Sequence, residues 1–216
     1  MKVLYPLTLI SALALPTYIQ ADEAIDNTGF AVLVDVGVAD IAVDAEGGYQ
    51  EESDTTTSPA LGLSYQFNDN MSVVAHYTNY GTAELFSTTT YINSTVVDVT
   101  VESKTTAFSV VGQYMVPLAS ESWSIGARLG LISWDTEFGV KAVTSQASAK
   151  NKFGDDSGTT ITGGILAEYA LSEQLSFTLS ADWFVNKIDN SVEFTDDGAD
   201  LDMQYGRYAM GLKYAF

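Results

Sequence analysis

The amino-acid sequence predicts an all-β protein: an eight-stranded antiparallel up-and-down β-barrel that crosses a membrane. Three observations carry this expectation. Apolar and polar residues alternate with period two in segment after segment, the mark of strands with two unlike faces. The connections alternate between short and long. The apolar face is also the one that carries Tyr and Trp toward the strand ends, whereas the other face carries charge.

The chain opens with a basic Met1-Lys2, an apolar run over residues 3–15 and a small-residue cleavage point at Gln20-Ala21, ahead of the acidic Asp22 and Glu23. This is the pattern of a secretory signal peptide at residues 1–21, with the barrel domain at residues 22–216. Pro6 and Pro16 interrupt the run, which argues against a membrane-spanning helix of ~18 residues or more.

From Gly29, residues Phe30, Val32, Val34, Val36 and Val38 share one face, with Asp35 and Gly37 on the other. A second strand places Leu61, Leu63, Tyr65 and Phe67 opposite Gly62, Ser64 and Gln66, then turns at Asn68-Asp69-Asn70. In the third, Val73, Ala75 and Tyr77 oppose Ser72, Val74, His76 and Thr78. A fourth spans residues 104–116, with Phe108, Val110, Gly112 and Tyr114 on its apolar face, and ends at Pro117.

Trp123, Ile125, Ala127, Leu129 and Leu131 alternate with Ser124, Gly126, Arg128 and Gly130 in the fifth. The sixth, residues 159–171, sets Ile161, Gly163, Ile165, Ala167 and Tyr169 against Thr162, Gly164, Leu166 and Glu168. The seventh sets Leu175, Phe177, Leu179, Ala181, Trp183 and Val185 against Ser176, Thr178, Ser180, Asp182 and Phe184, and the eighth runs over about residues 205–216.

Short turns at residues 68–70, 117–122 and 172–174 trim one end, and four long polar connections, expected as loops at about residues 40–57, 81–103, 135–157 and 186–203, elaborate the other. A membrane barrel needs this asymmetry, with short periplasmic turns and longer extracellular loops. A soluble barrel would point its apolar face inward. Here the second face carries Asp35, His76, Arg128, Glu168, Asp182 and Lys213, which suits a polar lumen.

Composition removes several classes. Without cysteine, thiol chemistry and disulfides are excluded. A net charge of -19 with scattered Lys and Arg is the opposite of what a phosphate backbone attracts, so no nucleic acid is expected.

At the C-terminus, Tyr208, Met210, Leu212, Tyr214 and Phe216 alternate with Ala209, Gly211, Lys213 and Ala215. This looks like the assembly signal by which outer-membrane proteins engage the barrel-assembly machinery. Together with residues 128–135 (RLGLISWD), 163–169 (GGILAEY) and 211–216 (GLKYAF), it resembles the OmpA-like transmembrane barrel family over residues 29–216. OmpW-like and opacity-type barrels share the terminal Phe and the alternation. The resemblance implies a cell outer-membrane location, outer-membrane lipid and lipopolysaccharide as partners, and a monomer. Larger members add a peptidoglycan-binding domain after the barrel, which this sequence does not imply.

Asp35, His76, Arg128, Glu168, Asp182 and Lys213 are expected to form a lumen charge network, because enclosed charges need partners. Eight strands leave an interior that side chains just fill, so such a network plugs the barrel. His76 is the sole histidine, and Ser64 and Ser72 share its face, but no nucleophile motif accompanies them; neither an enzyme nor a bound cofactor is expected. Asp44, Glu46, Glu51, Glu52 and Asp54, and later Glu193, Asp196, Asp197, Asp200 and Asp202, form acidic runs where divalent cations could bind, although a solvated, self-repelling loop is the plainer reading. The expected function is a structural or surface-interaction role in the outer membrane. The alternatives are a narrow small-solute channel, a surface adhesin or receptor, and a lipid-modifying barrel enzyme.

Overall fold

The computed structural model describes residues 28–45, 52–92, 95–119, 122–188 and 201–216. The expected signal peptide at residues 1–21 lies outside the described residues, as do Glu46 and Glu51 of the first acidic run and Glu193, Asp196, Asp197 and Asp200 of the second.

Eight strands form in chain order: β1 (Gly29–Ala45), β2 (Glu52–Gln66), β3 (Met71–Ile92), β4 (Thr95–Pro117), β5 (Trp123–Val143), β6 (Ser148–Ala170), β7 (Leu175–Ile188) and β8 (Leu201–Ala215). Each pairs antiparallel with its chain neighbour, and β1 pairs with β8 from Ala31↔Ala215 to Ala45↔Leu201, closing the barrel. The terminal Phe216 amide completes this seam by donating to the Phe30 carbonyl at 3.0 Å.

The short turns are held by their own side chains. Asn68 Oδ1 accepts from the amides of Asn70 (3.0 Å) and Met71 (2.9 Å), and Ser172 Oγ accepts from the Leu175 amide at 3.1 Å. These are the local bonds for which Asn and Ser are favoured in turns.

The expected faces hold. Val34 is 58% exposed and Ile161 66%, while Val74 and Val111 are buried inside. The outward apolar belt runs from Phe30 to Val38 on β1, Trp123 to Leu131 on β5, Ile161 to Tyr169 on β6 and Tyr208 to Phe216 on β8. Each stretch spans about nine residues, which at ~3.3 Å per residue and a tilt near 40° crosses about 23 Å, the height of a barrel's lipid-facing band. Aromatic residues rim it. Phe30 and Tyr65 lie 4.9 Å apart, and Trp123 and Tyr169 5.0 Å, at the short-turn end; Trp183 and Tyr208 lie 6.4 Å apart at the other.

Two of the expected long loops are strand instead. β3 and β4 stay paired out to Ile92↔Thr95, and β5 and β6 to Val143↔Ser148, so residues 81–92, 95–103, 135–143 and 148–157 continue the wall beyond the belt. The reason lies in the side chains. Beyond Leu131 the outward positions become Ser133, Asp135 and Glu137, and the inward ones Ile132, Trp134 and Phe138, so the polarity of the two faces inverts while the period of two persists. Charges link the strands there: Lys152 Nζ reaches Glu137 at 3.0 Å and Asp155 at 3.4 Å, both exposed pairs, and Lys150 pairs with the buried Glu102. The exposed Lys152 pairs are each worth ~0.2–1 kcal/mol, so β-branched packing and the backbone ladder carry most of the extension.

Above the belt the wall also divides. β2 and β3 pair only up to Ala60↔Thr78, and β6 and β7 only up to Thr162↔Phe184. Register shifts at Asn79/Gly81 and Glu84/Phe86 interrupt the β3–β4 ladder at this height, and Gly81 adopts φ +83°, where a β-carbon would also strike Thr56. Asp54 and Thr56 bridge this seam, Asp54 Oδ2 accepting from the Glu84 amide at 2.8 Å and the Thr56 hydroxyl donating to the Tyr80 carbonyl.

The belt predicts a depth-dependent penalty for charge. Val34→Arg, at mid-belt, should lower unfolding free energy in lipid vesicles by about 2–4 kcal/mol, and Thr57→Arg, opposite Val38 at the belt's upper edge, by about 0–1 kcal/mol, read from urea titration of tryptophan fluorescence.

Candidate functional site

Among the described residues, the lumen gathers every Lys and Arg that lies within the belt, and each meets a carboxylate. Arg128 of β5 forms a two-pronged pair with Asp182 of β7. Lys213 of β8 donates to both oxygens of Glu168 on β6, each at 3.1 Å, near the short-turn end. Asp35 of β1 pairs with Arg207 of β8, a residue the sequence reading left out. Arg207, 3% exposed, also donates from Nε to Ser58 Oγ at 2.9 Å and to the Ser58 carbonyl at 2.8 Å. Its position was in phase: it stands six residues before Lys213 on the same inward face, just ahead of the C-terminal segment read as a unit.

Asp182 lies directly opposite Arg207 in the β7–β8 ladder. Arg128, Asp182, Arg207 and Asp35 therefore alternate in sign across the lumen, joined by two ion pairs and one register contact. Bidentate geometry and a neutral count make enclosed charges tolerable, since an unpaired one would carry a desolvation penalty of several kcal/mol.

Glycines on the inward face make room for these groups. A β-carbon at Gly62 would collide with the His76 ring, one at Gly164 with the Asp182 carboxylate, and one at Gly211 with Asp35. His76 itself is buried, and its Nε2 meets no hydrogen-bonding partner. Ser64 and Ser72 share the inward face with it, but no serine is bonded to that nitrogen, so the pairing that a nucleophile would need is not formed through it.

Above the ion pairs the lumen closes on an apolar cluster that the sequence reading did not identify: Tyr80, Trp134, Phe138, Phe184 and Tyr205, with Ile41 and Met203. Phe184 and Tyr205 stack at 4.5 Å with planes 6° apart, and Tyr80 meets both edge-on at 5.4 Å. The Tyr205 hydroxyl lies 2.8 Å from Thr105 Oγ1, which lies 2.9 Å from Thr136 Oγ1, so this polar tip within the cluster is satisfied.

On the C-terminal strand Tyr208, Met210, Leu212, Tyr214 and Phe216 all point outward into the belt, and Tyr214 and Phe216 touch edge-on at 5.3 Å. Among the described residues no three His, Asp or Glu side chains are grouped to hold a metal ion.

A family profile described as "outer membrane protein beta-barrel domain" matches residues 6–216. Among solved structures, the chain is similar to Ail, the attachment invasion locus protein of Yersinia pestis, at 15% identity over 87% of this chain and 99% of that one, with a TM-score of 0.45. It is similar to the outer membrane protein OprG from Pseudomonas aeruginosa at 13% identity over 88% and 97%, TM-score 0.47. It is similar to Neisserial surface protein A at 16% identity over 87% and 97%, TM-score 0.41. No curated protein sequence matches it.

The ion pairs predict a non-additive response. Asp182→Ala leaves Arg128 enclosed without a partner and should cost about 3–5 kcal/mol, whereas adding Arg128→Met should restore most of the loss, as measured by urea unfolding in vesicles.

Proposed function

The chain belongs to the outer membrane protein β-barrel domain family and resides in the bacterial outer membrane, and from that premise we propose that it is a sealed, non-conducting barrel with a structural and surface-interaction role. The observation that carries this reading is the double obstruction of the lumen, with paired charges inside the belt and an aromatic cluster above them. An eight-stranded interior is about as wide as the side chains that fill it, so these two layers leave no through-path for a hydrated solute.

The wall above the belt supports the other half of the reading. Strands β3 to β6 run 21–23 residues, about twice what the lipid requires, and the extra length carries a charged outer face into the medium. A rigid scaffold that lifts charged surface away from the membrane suits contact with other molecules. Catalysis has no place in this reading: the one histidine is enclosed in the lumen, away from the lipid-accessible rim where a lipid-modifying enzyme would keep its reactive groups.

Residues 1–21 serve as the secretory signal in this proposal, and Tyr208, Met210, Leu212, Tyr214 and Phe216 as the strand read by the barrel-assembly machinery. The finished barrel is a monomer held by lipid and lipopolysaccharide around the belt.

The test is planar-bilayer conductance of refolded protein whose insertion is verified by its shift on gels run with and without boiling. The native chain should be silent, and the triple variant Tyr80→Ala, Phe184→Ala, Tyr205→Ala should show openings or a raised leak. Discrete, reproducible channels from the native chain would replace the sealed reading with that of a small-solute channel.

A further inference from the structure

Three acids and three bases in the lower lumen neutralise one another, and His76 is left over: a titratable, enclosed side chain with no ionic partner of its own and a bare Nε2. It stands between two cavities, each of about 20 Å³. The lower one reaches Lys213 and Glu168, whose side chains keep about 15% exposure, and the upper one ends beneath Tyr80. His76 and Arg128 line both.

Each cavity has room for about one water molecule, and a water is stable in such a space where two to four polar groups converge on it. That condition is met above by Thr78, Ser109 and Thr162 and below by Ser64, Gln113 and Ser180. The alternative is an imidazole nitrogen buried without a hydrogen bond, a penalty of ~1–3 kcal/mol that native interiors avoid. Gly62 shows that the ring's placement is built in, because any larger residue there would push the imidazole out of this position.

We propose that His76 is an internal water-binding site, its Nε2 joined to a bound water that links the two cavities into one hydrogen-bonded chain running from the Lys213–Glu168 pair to the underside of the aromatic cluster. The chain is a blind one: water occupies the lower lumen without passing through the barrel.

The only histidine gives one imidazole signal, so the site can be read directly in nanodiscs by nuclear magnetic resonance. Magnetisation transfer from water to the His76 ring protons is expected within the time set for bound water; its absence, with transfer still seen to lumen hydroxyls, would overturn the proposal. A second reading uses His76→Gln and His76→Leu. Gln keeps a group that can hold the water and should retain the native urea midpoint, while Leu expels it and should lower the midpoint. A Leu variant as stable as the native chain, or more so, would mean that the nitrogen was dry. These outcomes are separate from the conductance result, since a sealed barrel can be wet or dry at His76.

Discussion

The pairing of β1 with β8 is the constraint on which the rest depends. In hydrocarbon an unpaired N–H or C=O has no water to turn to, so a sheet can cross only if its last strand finds its first. Fifteen register pairs from Ala31↔Ala215 to Ala45↔Leu201 accomplish this. Closure at eight strands then fixes the circumference, and the circumference fixes how much space the inward side chains must fill. The polar lumen, its glycine recesses and its neutral count of charges all follow from a ring of that size.

Two solvents meet the outer face, and the side chains change where the solvent does. Within the belt, lipid surrounds the wall and the apolar side faces out; beyond it, water surrounds the wall and the same strands turn the apolar side in. Residues 129–138 make the change within a few positions, from outward Leu129 and Leu131 to inward Ile132, Trp134 and Phe138. One continuous strand is thus a membrane strand below and a soluble-barrel strand above. The apolar cluster in the upper lumen is the core of that upper part, and it seals the polar part beneath.

This inversion also explains what the sequence disclosed and what it withheld. Eight strands, their faces, the short turns and the aromatic rims were legible because period-two alternation with an outward apolar face is uniform through the belt. Residues 81–103 and 135–157 read as loops because they are long and polar, and the apolar residues that remain there sit on the inward phase. Tyr80, Trp134 and Phe184 are not legible as a plug for the same reason: alternation places them on a face otherwise marked by charge. Five of the six charges read in the lumen, Asp35, Arg128, Glu168, Asp182 and Lys213, do form ion pairs, yet Asp35 could not be matched to its partner Arg207 without a register, since that pairing bridges residues 172 apart in the chain.

The paired hairpins above the belt have a consequence for how the surface can vary. Because their register is set below, in lipid, the outer end of the β3–β4 pairing behaves like the end of a ruler. Inserting two residues into each arm would lengthen it by about 7 Å and preserve which side chains face out, whereas inserting a single residue into each would exchange the faces unless a bulge of the kind at Asn79/Gly81 and Glu84/Phe86 absorbed it. An epitope grafted there keeps its aim only if it respects that parity or brings its own bulge.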